Sequence, residues 1–186
     1  MVNELIHKYC GGNEPLEQLL LKHSGNVARR ALRISKEHPE LGADDTFLWE
    51  AAMLHDIGIT RVYAPSIHCF GTEPYIRHGI LGAEILRNEG LPRHARVAER
   101  HTGTGLTAKE IELQNLPLPH QDFTPKSIEE QIICYADKFY SKSSPDIEKT
   151  TEQAIKSLEK FGIDGIAVFK NWMERFEKKI VVLHPF

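Results

Sequence analysis

The stretch AAMLHDIGIT, residues 51–60, sets two ionisable side chains directly behind an apolar run. Ala51, Ala52, Met53 and Leu54 demand burial, and the adjacent His55 and Asp56 are carried inward with them. A buried charge without a partner is so costly that folded proteins avoid it. The fold must therefore bring this pair a partner.

A chain of 186 residues, 41% hydrophobic and 26% charged, is long enough for one domain with a full core and has the composition of a soluble globular protein. Its apolar runs fall far short of a membrane span, and the opening MVNELIHKYC lacks the apolar centre of a signal peptide. The expectation is a cytoplasmic protein with no membrane partner. A formal charge of −3 argues against nucleic acid as an obligatory partner. Cys10, Cys69 and Cys134 are odd in number and widely spaced, which suits neither a disulfide framework nor a CxxC metal site. Ten histidines stand out.

The pattern along the chain is helical. Residues 15–38 carry Leu16, Leu19, Leu20, His23, Val27, Ala31 and Ile34 at i, i+3/i+4 spacing, with His23 on the apolar face. A second helix is expected from an Asp44 N-cap to Gly58, with Phe47, Ala51, Leu54 and His55 on one side. Residues 59–74 lack a period and read as a loop. Helical pattern resumes over 75–89 with His78, Leu81, Gly82 and Ile85 on a face. Gly90 closes it, and Pro92 suits the first turn of a helix reaching His101. Thr107–Glu110 and Ser127–Glu130 have capping-box spacing, the second opening a helix with Ile133, Ala136, Asp137 and Tyr140. Two more helices are expected over 146–161 and 164–180, and only KIVVLHPF at 179–186 reads as extended. The fold class is all-α, a compact helical bundle of one domain spanning 1–186. The 146–180 region either completes the core or forms a homodimer contact.

Each core-facing stripe is interrupted by a ligand-type residue: His23, His55 with Asp56, His78, His101 and Asp137. Four imidazoles and two carboxylates make an N/O set suited to iron, manganese or zinc. Neighbouring helical positions point about 100° apart, so one of the His55–Asp56 pair can bind one ion while the carboxylate bridges to a second. A cation would then be the missing partner. A single histidine on an apolar face is more often a hydrogen-bonded core residue, so spacing alone leaves both readings open. His7, His38, His68, His94, His120 and His184 fall near termini, loops or helix ends and read as surface residues. His68 and His120 lie in loops that could border a site.

Five segments in order, HSGNVARRAL with His23, LHDIG with His55 and Asp56, RHGILGAEIL with His78, ERHTGTG with His101 and YADKF with Asp137, resemble the motifs of HD-domain metal-dependent phosphohydrolases. The likeness spans about residues 20–142, and the two intervening histidines resemble the six-ligand, dinuclear branch. It implies a helical HD fold and two divalent or mixed-valent transition-metal ions, iron first, with manganese or zinc as alternatives. One ion would be held by His23, His55, Asp56 and Asp137, and Asp56 would bridge to a second held by His78 and His101. The implied activity is hydrolysis of a nucleotide or other small phosphoester by a metal-activated bridging hydroxide, with Asp56 as the catalytic carboxylate.

Many dinuclear relatives carry lysine three residues after the His-Asp pair, where this chain has Ile59. Arg61, Arg77, Arg100 and Lys138 are candidates for the missing positive charge. Thr102 and Thr104 of HTGTG are candidate phosphate donors, or simply part of a helix-ending break, and IHCFGTEPYIR is a candidate lid. Two other classes stay open: a mixed-valent di-iron oxygenase acting on a phosphonate or polyol, and a non-catalytic, metal-stabilised regulatory module.

Overall fold

The computed structural model describes residues 1–159 and 163–177. Within them the chain is mainly helical: α1 Val2–Cys10, α2 Glu14–Glu37, α3 Asp45–Leu54, α4 His78–Asn88, α5 Pro92–Arg100, α6 Ala108–Leu113, α7 Ile128–Asp137, α8 Thr151–Leu158 and α9 Ile163–Phe176. Two small antiparallel hairpins interrupt them. In one, β1 (Tyr63–Ala64) pairs with β2 (Cys69–Phe70), Tyr63 opposite Phe70. In the other, β3 (Tyr140–Ser141) pairs with β4 (Ser144–Glu148), with a register shift between Tyr140 and Ser141.

Helix starts follow local chemistry. Asn13 caps α2 by accepting from Leu16 N, and Asp44 caps α3 by accepting from Phe47 N, each filling a backbone donor the helix leaves unpaired. Pro92 opens α5, and Thr107 with Glu110 makes both halves of a capping box on α6. Ser127 accepts from Glu130 N at α7, but the Glu130 carboxylate turns to Arg100 and Lys126 N.

Three expected boundaries differ. α3 stops at Leu54, not Gly58, and the chain continues as a 3₁₀ turn over Ile57–Arg61. Gly58 is needed for close approach instead: a Cβ there would lie 2.0 Å from His78 O and 2.3 Å from Gly82 N, both backbone atoms of α4. The expected 59–74 loop holds that turn and the first hairpin. The helix expected from 146 begins at Thr151, because 144–148 pairs with β3 and the Thr150–Gln153 capping box starts the helix beyond it. KIVVLHPF and the end of the helix expected to 180 lie outside the described residues.

α2 packs against α3 and α7, and α4 packs along α5 and against the 3₁₀ turn that follows α3. One apolar core runs from Leu5 and Ile6 through Leu20, Leu48, Leu54, Leu86 and Ile132 to Phe169, Trp172 and Phe176, so α8 and α9 share it. A smaller cluster of Leu106, Ile111 and Phe123 lies under the loops flanking α6. Among the described residues no helix is long and apolar enough to cross a membrane.

Candidate metal centre

The six ligand-type residues converge, and five of them stand at or just beyond helix ends. His23 projects from the middle of α2. His55 and Asp56 follow α3, His78 opens α4, His101 follows α5, and Asp137 closes α7. All six are buried, Asp56 completely. They form two groups, His23, His55, Asp56 and Asp137, and Asp56, His78 and His101, within each of which one atom per residue lies within 4.8 Å of the others. Asp56 belongs to both.

Three of the histidines are oriented by the same device. Nδ1 of His55 lies 2.6 Å from Ala52 O, that of His78 2.8 Å from Tyr75 O, and that of His101 2.7 Å from Ala98 O. A carbonyl only accepts, so Nδ1 carries the proton and donates, and in the neutral ring Nε2 keeps a lone pair. For His55 and His101 the carbonyl belongs to the preceding helix's last turn, which otherwise lacks a partner.

The lone pairs of His55, His78 and His101 point at other acceptors, while His23 Nε2 hydrogen-bonds Asp137 Oδ1. Asp56 Oδ2 lies 3.1 Å from His23 Nε2 and 3.2 Å from His55 Nε2, while Oδ1 lies 3.3 Å from His101 Nε2 and 3.6 Å from His78 Nε2. Asp137 Oδ1 lies 3.1 Å from His23 Nε2 and 3.4 Å from His55 Nε2. The Nε2 atoms of His78 and His101 are 3.0 Å apart. His55 Nε2 and Asp56 Oδ1 are buried with no hydrogen-bond partner, and Asp56 Oδ2 meets the ammonium of Lys142, 2.6 Å away. Buried acceptors facing acceptors are stable only around a proton or a cation, and histidine nitrogens with carboxylate oxygens are the donor set of a transition-metal site. The residues present therefore fit two adjoining ions sharing Asp56.

The electrostatics are uneven across the centre. Burial alone would lower the pKa of His55, but Asp56 and Asp137 outweigh it and push it up to about 9. Burial lowers His78 to about 3, and the neighbouring His101 adds to the shift. Burial opposes ionisation of Asp56, yet Lys142 and His55 hold it well below the usual carboxylate range.

A cavity of about 610 Å³ opens beside this centre, within the ~300–1,000 Å³ range of small-molecule sites. His78, His101 and Asp137 line it, with Lys138, Lys142 and Lys149. Of the sequence candidates for charge, Lys138 is at the site: Nζ donates to Asp137 Oδ2 (2.7 Å) and His101 O (3.1 Å). The arginines are engaged elsewhere. Arg61 pairs with Glu84, Arg77 with Glu73 and Pro117 O, and Arg100 with both oxygens of Glu130. Thr102 lines the cavity, whereas Thr104 is buried and is not part of its lining. His68 and His120 are exposed, and His120 faces Glu112. His94, expected at the surface, is buried against the Phe47 ring and Glu50.

Sequence reasoning missed Lys142, whose Nζ lies 2.6 Å from Asp56 Oδ2. Its one signal is a second lysine four residues beyond Lys138, just past the YADKF motif.

The HD-domain family model matches residues 20–141. Among curated proteins, an uncharacterized protein of Methanocaldococcus jannaschii is 33% identical over 172 residues, 87% of this chain and 82% of that one. Two proteins named tRNA (cytidine(56)-2'-O)-methyltransferase are also similar. The one from Picrophilus torridus is 35% identical over 69% of this chain and 33% of its own length. The one from Thermoplasma volcanium is 29% identical over 98% of this chain and 44% of its own. The chain thus spans less than half the length of either methyltransferase. No solved structure matches it at comparable significance.

Proposed function

The chain belongs to the HD-domain family, and from that premise we propose that it is a metal-dependent phosphohydrolase acting on a small phosphoester, nucleotides included. The observation that carries this reading is the set of buried acceptors around Asp56, set beside a lysine-lined cavity. Two transition-metal ions, iron first and manganese or zinc next, would supply Lewis acidity toward the phosphoryl group and a nucleophilic water at neutral pH.

The protein's own part is holding and neutralising. His23, His55, Asp56 and Asp137 would hold one ion, and Asp56, His78 and His101 the other. The carbonyls of Ala52, Tyr75 and Ala98 fix three imidazoles with Nε2 inward, so these rings are already oriented for binding. Lys138 restrains Asp137 through Oδ2, leaving Oδ1 toward His23 and His55. Lysines around the cavity favour an anionic substrate there.

Methyl transfer to tRNA is the named activity of two relatives of which this chain spans a third to under a half. The reading here instead follows the matched HD segment. The deciding experiment is an anaerobic screen of iron- or manganese-loaded protein against nucleotides, dinucleoside polyphosphates, cyclic phosphates and phosphonates. Release of phosphate or a nucleotide monophosphate is the expected result. Oxygen uptake with reduced iron and no anaerobic product would redirect the reading to the oxygenase alternative. Inactivity of metal-replete protein on every substrate would favour the regulatory module.

A further inference from the structure

Lys142 stands where a cation is needed. It forms, with Ser143, the turn between β3 and β4, and its side chain reaches inward until Nζ is 2.6 Å from Asp56 Oδ2. That oxygen faces His23 and His55, not His78 and His101. The ammonium also lies 5.9 Å from the Tyr75 ring centroid, and both residues line the cavity. Lys138 differs: it bonds a carboxylate oxygen turned away from the histidines and a backbone carbonyl, neither of which a bound ion would claim.

An ammonium and a metal ion on the same carboxylate oxygen compete, since like charges so close in a low-dielectric interior repel strongly. Resting on the metal reading above, we propose that Lys142 is an internal counter-ion that competes with the metal for Asp56 Oδ2. Once displaced, it anchors the anionic group of the substrate in the cavity. Its position on a hairpin turn, not on a core helix, lets the side chain change partners without moving the elements that carry the histidines. The hydroxyls of Ser141 and Ser143, 2.8 Å apart and also lining the cavity, flank the released ammonium and can donate to the same anion.

The test compares wild type with Lys142→Met in three measurements: melting of metal-free protein, Mn²⁺ titration, and binding of inorganic phosphate to Mn²⁺-loaded protein. Metal-free Lys142→Met should melt below wild type, because Asp56 loses its compensating charge, and saturating Mn²⁺ should close that gap. Its Mn²⁺ affinity should rise about tenfold at the ion flanked by His23 and His55, while phosphate affinity of the loaded protein should fall by a similar factor. Lys142→Arg should retain phosphate binding, and Lys142→Gln replaces the methionine variant if that does not fold. Unchanged Mn²⁺ affinity overturns the competition, and unchanged phosphate affinity overturns the anchoring role. Wild type that binds no Mn²⁺ overturns the metal centre itself, whereas wild type and variant binding two ions equally well overturns only the assignment of Lys142.

Discussion

Nε2 of His78 and Nε2 of His101 face each other at 3.0 Å while each ring's Nδ1 donates to a backbone carbonyl. Two lone pairs are thus aimed at one point, with Asp56 Oδ1 beside them. Protein loaded anaerobically with iron or manganese should therefore hold two ions per chain, and His78→Ala should hold one. Metal analysis after desalting checks the count. Phosphoester turnover in the same variant should fall about a hundredfold or more.

Gly58 should tolerate no side chain. Gly58→Ala would drive a Cβ into His78 O and Gly82 N, and backbone atoms cannot rotate aside. A loss of about 2–3 kcal/mol is expected, together with weaker metal binding, because the displaced turn carries Asp56 at its start. Gly90→Ala is the control. Its φ of 76° disfavours alanine but nothing lies within 4 Å, so only about 1–2 kcal/mol should be lost and metal binding kept. Denaturant unfolding and metal titration of both variants decide it.

Arg100 should behave as a structural residue. Its guanidinium meets both oxygens of Glu130, which is 5% exposed. Arg100→Met leaves that carboxylate with Lys126 N and the more distant Arg96, and should cost about 1–2 kcal/mol, with KM for a phosphorylated substrate unchanged. A raised KM in a fully folded variant would return Arg100 to the substrate site.

His94 gives a pH dependence separable from the metal centre. Burial lowers its pKa, and Arg93 adds to this, against the partial offset of Glu50. A depressed histidine pKa means that the unfolded chain binds the proton more readily, so this contribution is present above the ordinary value of about 6.5 and fades as pH falls below it. The stability difference between wild type and His94→Gln should therefore shrink from pH 7.5 toward pH 5. A difference independent of pH would remove His94 from the account.

Periodicity made the helices legible, because the buried stripe of α2 from Leu16 to Ile34 repeats on one face. The order of five motifs made the ligand set legible. The helix end at His101 is legible from Pro92 onward. No period could disclose that His55, His78 and Asp137 also sit at helix ends, or that His55, His78 and His101 are aimed by a carbonyl three residues back. Nor could local pattern show that Arg61, Arg77 and Arg100 are committed to partners such as Glu84, Glu73 and Glu130, since two of those pairs join separate elements. Lys142 reaches Asp56 from the turn of the β3–β4 hairpin, 86 residues further along the chain. That is a product of tertiary assembly, absent from any short window.

The contact between His23 and Asp137 joins positions 114 residues apart. Closing so long a loop is slow and occurs only when α2 and α7 have docked with α3 and α5 between them in sequence. A nascent chain that has not yet emitted α7 can offer an ion three ligands of the first group, and never four. Capture of that ion is thereby tied to the last stages of folding, and an ion held there stabilises the finished protein by mass action while giving little to its precursors.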